Sequence, residues 1–370
     1  MGDSARTRSP KADAPATADV ENQHEDLATS QAMLAPTHWE NNDGDEDASD
    51  TDSSLGDDTT SSTASISSSI LEYRVINGRT YHAERGDAQY WASNDAQANE
   101  SLDVIHHTST LILDGKIFLA PLKKESVAKV LDVGTGSGIW AIDFGDEFPD
   151  AEVVGTDVSP IQPSWVPSNV KFEIEDFTLD WTFPDDSVDY VHMRFLYGSV
   201  PDWDGLFERA YRVCKPGGWV ESHEGDPMGY SDDATLKEGS ALGEWGKFFH
   251  EGGKKLGRIF TPLPGNLQEK GLKEAGFVDI QSKTFKVPVG DWPKDKNLRE
   301  IGRFTHLSIE TDVEGHISFM ANLLDGWTQE KVTLYCMQLR RELRNRKIHA
   351  YYHQRVVWGR KPEIQPPSED

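Results

Sequence analysis

Val130-Leu131-Asp132-Val133-Gly134-Thr135-Gly136-Ser137-Gly138-Ile139-Trp140 joins a short apolar run to three glycines at alternate positions and then to a helix-like stretch. It reads as a strand, a tight turn and a helix start. A backbone that turns this sharply and comes close to a ligand has no room for a Cβ at one or more of the glycines. The turn therefore points to a nucleoside-containing cofactor. A dinucleotide fingerprint runs G-x-G-x-x-G, whereas here the third glycine comes one residue earlier and Ile139 stands in its place. That spacing weakens a pyrophosphate ligand, and with it a nicotinamide oxidoreductase. Nineteen residues after Gly138, Asp157 closes a second apolar run, Val153-Val154-Gly155-Thr156, where an acid at a strand end can accept both hydroxyls of a ribose. An adenosyl ligand without a diphosphate fits this pair of features better.

Working outward, the chain alternates strands and helices. Strands are predicted at Lys129 to Val133, Glu152 to Asp157, Val170 to Ile174, Val188 to His192 and Trp219 to His223, joined by connections of α/β length. Helices are predicted from about Ala96 to Leu113, from Ile139 to Phe148, and from Trp203 to Val213, where Trp203, Leu206, Phe207, Ala210 and Val213 fall on one face. Three prolines between Ser159 and Pro167 make that stretch an ordered loop. Two further strands, Gly276 to Phe285 and His353 to Trp358, complete a sheet of seven. The stretches at about 227–265 and 290–348 read as a helical cover over the site. Ligands of open α/β sheets sit beyond the carboxyl ends of the strands, where strand order reverses, so the residues just after each strand are the candidate site.

Composition divides the chain at about residue 70. Residues 1–70 carry a net charge of −12 out of a total of −26, and twelve of the twenty residues from Thr51 to Ile70 are Ser or Thr. This acidic stretch cannot bury enough apolar surface to offset its ordering entropy, so a disordered tail is expected, with acid-flanked Ser53 and Ser54 as kinase targets. The globular part, with the glycine turn and its ligand site, is read as residues 71–365. Acidity of both parts argues against direct contact with nucleic acid or an anionic membrane. No apolar run approaches the roughly 20 residues of a membrane span, and no signal-peptide pattern follows Met1. A soluble, cytoplasmic protein is expected. The basic stretch Arg340 to Lys347 reads as a solvated helical face, with a nuclear address as the alternative. Two cysteines, Cys214 and Cys336, exclude a disulfide framework or a cysteine zinc cage, and no metal site is expected.

The chain resembles class I S-adenosylmethionine-dependent methyltransferases, and more closely the fungal group of LaeA-like regulators and secondary-metabolite methyltransferases. The likeness covers about residues 73–362. It rests on Leu131 to Ile142, on Gly155-Thr156-Asp157-Val158-Ser159-Pro160-Ile161-Gln162-Pro163, on Trp203 with Lys215-Pro216-Gly217-Gly218-Trp219, and on Gly359-Arg360-Lys361-Pro362. It implies a Rossmann-like sheet of seven strands with the last antiparallel, and S-adenosyl-L-methionine as cofactor. It further implies that Gly134, Gly136 and Gly138 back the methionine part and that Asp132 holds the ammonium. By the same likeness Asp157 takes the ribose with Val158 against the adenine, while Asp176 and Phe177 bind and stack the ring. One departure stands out: the group usually has Arg before Leu-Asp in the N-terminal helix, and this chain has Ser101 before Leu102-Asp103. A cover held there by an arginine–acid pair would have to be held differently here.

For the transfer itself, a sulfonium methyl is already activated, so alignment and water exclusion are the main tasks. A hydroxyl or phenol acceptor also gains from a general base. His192, ending one strand, is the first candidate; Glu221 and His223 follow as residues expected on the same side. Arg194 is expected to fix an acidic substrate or pair with Glu221, and Tyr197, Trp245 and Phe249 to supply an aromatic wall or core. The adjacent His106 and His107 read as helix packing and surface. The function expected is methylation of a small molecule in fungal secondary metabolism. The alternative is a LaeA-like regulator acting through protein partners.

Overall fold

Residues 33, 73–83 and 90–363 are described by a computed structural model. The tail of residues 1–70, apart from Met33, lies outside the described residues, and so do Ser53 and Ser54. Asn77 and Gly78, both at positive φ (51° and 80°), close a hairpin of β1 (Arg74–Ile76) and β2 (Arg79–Tyr81). Such a turn matches the right-handed twist of paired strands, which is why Asn-Gly occurs there. Helix α1 (Ala96–Ile112) follows, its first turn capped by Asp95, whose side chain accepts from the Ala98 amide at 3.1 Å.

The alternating part then begins with β3 (Lys129–Val133), α2 (Ile139–Glu147), β4 (Glu152–Asp157), β5 (Val170–Ile174) and β6 (Val188–Arg194). Next come α3 (Trp203–Val213), β7 (Cys214–Tyr230), α4 (Ala241–Leu256), α5 (Leu267–Ala275) and β8 (Val278–Pro288). The chain closes with α6 (Lys296–Thr311), α7 (Val313–Leu323), α8 (Gln329–Leu343) and β9 (Tyr351–Arg360). The sheet order is β5-β4-β3-β6-β7-β9-β8, with β3 to β7 parallel and β9 antiparallel to both its neighbours. This is the seven-stranded class I sheet, as the sequence led one to expect.

Period-two alternation buries both faces of the central strands. Val130 packs with Trp140 and Phe144 of α2 and with Tyr190 on one face. Leu131 and Val133 pack on the other with Leu206, Phe207, Ala210 and Val213 of α3. Strand order reverses at β3: the chain runs outward through β4 and β5 on one side, then through β6 and β7 on the other. The cleft at that reversal lies over Asp132 and His192, which are register partners on β3 and β6.

Helices α4, α7 and α8 form a third apolar cluster with Tyr81 and Trp91, and Met33 packs against it. These helices fall within the stretches at about 227–265 and 290–348. Arg79 ties this cluster to the start of α1: its guanidinium is 2.7 Å from Asp95 and 2.5 Å from Asp312, between α6 and α7. Ser101 donates to the Ser308 carbonyl at 2.8 Å. The hairpin arginine and this hydroxyl therefore join α1, α6 and α7. At the opposite end of the sheet the Lys215-Pro-Gly-Gly-Trp turn is structural: Lys215 pairs with Asp189 at 2.8 Å, and Lys361 bonds the Gly218 carbonyl through its amide. Arg340 on α8 pairs with Glu314, and past the helix end Arg344 and Arg346 pair with Glu310 and Asp291, so only the first part of the basic stretch is helical. Among the described residues no helix is long and apolar enough to cross a membrane, and no group of His, Cys, Asp and Glu has the arrangement of a metal site.

Candidate active site

The three alternate glycines all have positive φ, 66° at Gly134, 60° at Gly136 and 82° at Gly138. Two of them explain the motif physically. A Cβ on Gly138 would lie 2.4 Å from the Phe172 ring, and one on Gly134 would lie 2.6 Å from Leu196. Freed of side chains, the turn lets the Gly136 amide donate to Asp157 Oδ2 at 2.9 Å while the Ser159 amide donates to Oδ1 at 2.9 Å. Asp157 thus sits at the end of β4, in the lining of the cleft. Burial, partly opposed by these amides, pushes its carboxyl up to about 6.

Asp132, at the end of β3, accepts from Thr135 Oγ1 at 2.6 Å and from His192 Nδ1 at 2.7 Å. The His192 ring lies flat on Trp140, 3.6 Å between centroids. Burial holds its pKa below the usual histidine value in spite of Asp132, so its Nδ1 carries the proton that Asp132 receives. Asp132, Gly134, Gly136, Asp157, Val158, Asp176, Phe177 and His192 all line one cavity; Gly138 supports the turn from behind. Asp176 Oδ1 accepts from the Thr178 amide at 2.9 Å and hydroxyl at 2.7 Å, and its Oδ2 has no partner among the described residues.

Away from these polar groups the cavity becomes aromatic. Trp91 stacks on Tyr197 (6.2 Å, 28°) and meets Phe249 edge-on at 5.3 Å, and Trp245 meets both Phe249 and His316. Tyr197, Trp245 and Phe249 are therefore both wall and core. His316, on α7, is the residue that sequence reasoning missed: its Nδ1 donates to the Asp312 carbonyl at 2.5 Å, which leaves Nε2 as an acceptor with no partner among the described residues.

Two expected residues are placed elsewhere. Strand β7 does not end at His223 but runs to Tyr230, so Glu221 and His223 sit in mid-strand and Gly225, Asp226 and Pro227 reach the cavity instead. Glu221 is spent on the amides of Leu119 and Ala120, at 2.8 and 2.6 Å, and burial raises it to about 7. His223 pairs with Gln354 at 2.7 Å and is driven down to about 3 by burial. Nor does Arg194 pair with Glu221. Its Nη2 is 3.1 Å from His106 Nδ1, and His106 Nε2 is 2.8 Å from Asp143. His107 packs edge-on against Phe304.

A methyltransferase-domain family matches residues 104–281. The methyltransferase pytC of Aspergillus terreus is 39% identical over 306 residues, covering 82% of this chain and 93% of that one. The chain belongs to the LaeA-like methyltransferases of fungal secondary metabolism. Within this family the secondary metabolism regulator LAE1 of Cochliobolus heterostrophus is 34% identical over 293 residues, covering 78% of this chain and 94% of that one. The protein-methionine methyltransferase laeA of Emericella nidulans is 30% identical over 295 residues, covering 79% and 77%. The cofactor of this LaeA-like methyltransferase is S-adenosyl-L-methionine. Its cavity fits that group chemically: a side-chain-free loop, a carboxylate at each of the β3 and β4 ends, an acceptor on Asp176 and one arginine among the described lining residues.

Proposed function

We propose that this methyltransferase acts on a small-molecule acceptor of secondary metabolism. The observation that carries the reading is the aromatic half of the cavity, where Trp91, Tyr197, Trp245 and Phe249 continue directly from the polar half. Concave, mainly apolar sites with a few fixed polar groups are those that take small molecules. In this reading Asp157 accepts from the ribose hydroxyls and Val158 lies against the adenine. Asp176 takes its amino group with Phe177 on the ring, and Asp132 takes the ammonium beside Gly134, Gly136 and Gly138.

Bound S-adenosylmethionine supplies an electrophilic methyl group. The chain has then to align the acceptor, exclude water and remove a proton. His192 is committed to Asp132 through Nδ1 and pressed on Trp140, so it orients that carboxylate. His316 suits the proton transfer better, because its Asp132-independent hydrogen bond fixes the tautomer that presents a basic Nε2 to the aromatic half of the cavity. The test is an untargeted metabolite comparison between cells with and without the gene. One compound replaced by its counterpart lighter by one CH₂ supports the reading. Loss of many unrelated compounds would overturn it in favour of the regulatory role that the names of several relatives carry.

A further inference from the structure

We infer that Arg194 holds the carboxylate of the cofactor's amino-acid end, and that His106 and Asp143 aim its guanidinium at that task. The cavity wall carries five carboxylates, those of Asp132, Asp157, Asp176, Asp226 and Asp312, and Arg194 is its one arginine or lysine among the described residues. Asp312 is already matched by Arg79. A ligand with an ammonium, a sulfonium and a carboxylate finds acids for its cations throughout, and a single cation for its anion.

Position supports the assignment. Asp132 and His192 are register partners, and Arg194 stands two residues beyond His192 on the same face of β6. The ammonium and carboxylate of one α-amino acid would thus meet groups on adjacent strand ends. Helix α1 offers no rival: its cavity-lining residues are Ala98, Ser101, Leu102 and Ile105, and the Ser101 hydroxyl is spent on Ser308.

The guanidinium is also prepared. A guanidinium can only donate, so His106 Nδ1 accepts from Arg194 and its Nε2 proton goes to Asp143 at 2.8 Å. Burial, the largest influence, keeps His106 below the usual histidine value, which agrees with that neutral tautomer. Burial brings Arg194 down to about 10, still protonated at neutral pH. Among the described residues no carboxylate oxygen lies within 4.0 Å of it, and the acids whose charge acts on it, Asp132 and Asp143, are occupied by His192 and His106. A charge so placed is costly unless it meets an anion.

The experiment is calorimetric titration of the full chain with S-adenosylhomocysteine and with the same molecule lacking only the carboxylate. The wild-type protein should bind the decarboxylated analogue about 10- to 100-fold more weakly, the worth of a charge-assisted pair. Arg194→Met should lose that much affinity for S-adenosylhomocysteine while its affinity for the analogue stays within about twofold. Arg194→Lys, which keeps the charge without the fork, should fall between and keeps the test open if the methionine variant does not fold. Equal binding of the two ligands by the wild-type protein would overturn the inference and leave an acceptor carboxylate as the partner of Arg194. Equal weakening of both ligands by either variant would overturn it in favour of a structural role.

Discussion

Replacing Asp157 by alanine bears most directly on how the cleft holds an adenosyl group. In the protein its two oxygens receive the amides of Gly136 and Ser159, both at 2.9 Å, and face the cavity. Two vicinal ribose hydroxyls would donate to the same pair of atoms. A hydrogen bond to an ionised acceptor is worth about 1.5–3 kcal/mol, so losing two costs about 3–6 kcal/mol. Part of that is returned, because burial has already raised this carboxyl to about 6 and made its charged form less favourable. An affinity loss of about 10²- to 10³-fold for S-adenosylhomocysteine is expected, at 1.4 kcal/mol per tenfold. Asp157→Asn retains one acceptor and should lose only about tenfold. The charge gives a second readout. Ribose hydroxyls favour the ionised carboxylate, so wild-type affinity should fall as pH drops through about 6, and the asparagine variant should be flat there. Calorimetry from pH 5 to 8 measures both, with thermal unfolding as the control for the loop that Asp157 braces. Affinity of the alanine variant within threefold of wild type would refute the ribose assignment.

Two further outcomes are expected. His316→Asn, assayed on the acceptor found by metabolite comparison, should lower turnover about 10²-fold with cofactor affinity intact; unchanged turnover would remove His316 as the base. Glu224 accepts the amides of Leu196 and Tyr197, each at 3.1 Å, and burial raises it from 4.5 to about 8. Between those values the folded state holds a proton that the unfolded chain has released, so this group's contribution falls by about 1.4 kcal/mol per pH unit as pH rises. Glu224→Gln should therefore reduce by about one proton the slope of urea-unfolding stability against pH from 5 to 8, and an identical slope in the variant would contradict this.

The core of the fold was legible because its elements carry short-range signals. The β3 turn, the buried face of α3 and the Asp157 strand end are local patterns, and their boundaries in the structure are those read from periodicity. The β1–β2 hairpin was not read from the sequence: Asn77-Gly78 sits at its turn, but its strands of three residues are too short for alternation to register. The active-site assignments failed where they depended on strand length. Ending β7 at His223 put Glu221 and His223 at the cleft; the strand's continuation to Tyr230 puts them in the sheet interior. Nothing local in the sequence says that Glu221 will be met by amides some hundred residues earlier. His316 was hidden for a related reason, since only packing of α7 against Trp91 and Trp245 turns it into the cavity. His106 looked like packing because its partners, Arg194 and Asp143, come from two other elements.

Acceptor class is the central claim, and partition of label tests it most directly. The purified protein is incubated with S-adenosylmethionine labelled in its methyl group and an extract of cells lacking the gene, and the label is followed into small-molecule and protein fractions. Label confined to one small-molecule species, and absent with Asp157→Ala, is the result expected from the aromatic cavity beside Asp132 and Asp157. Label in protein, with none in any small molecule, would contradict it.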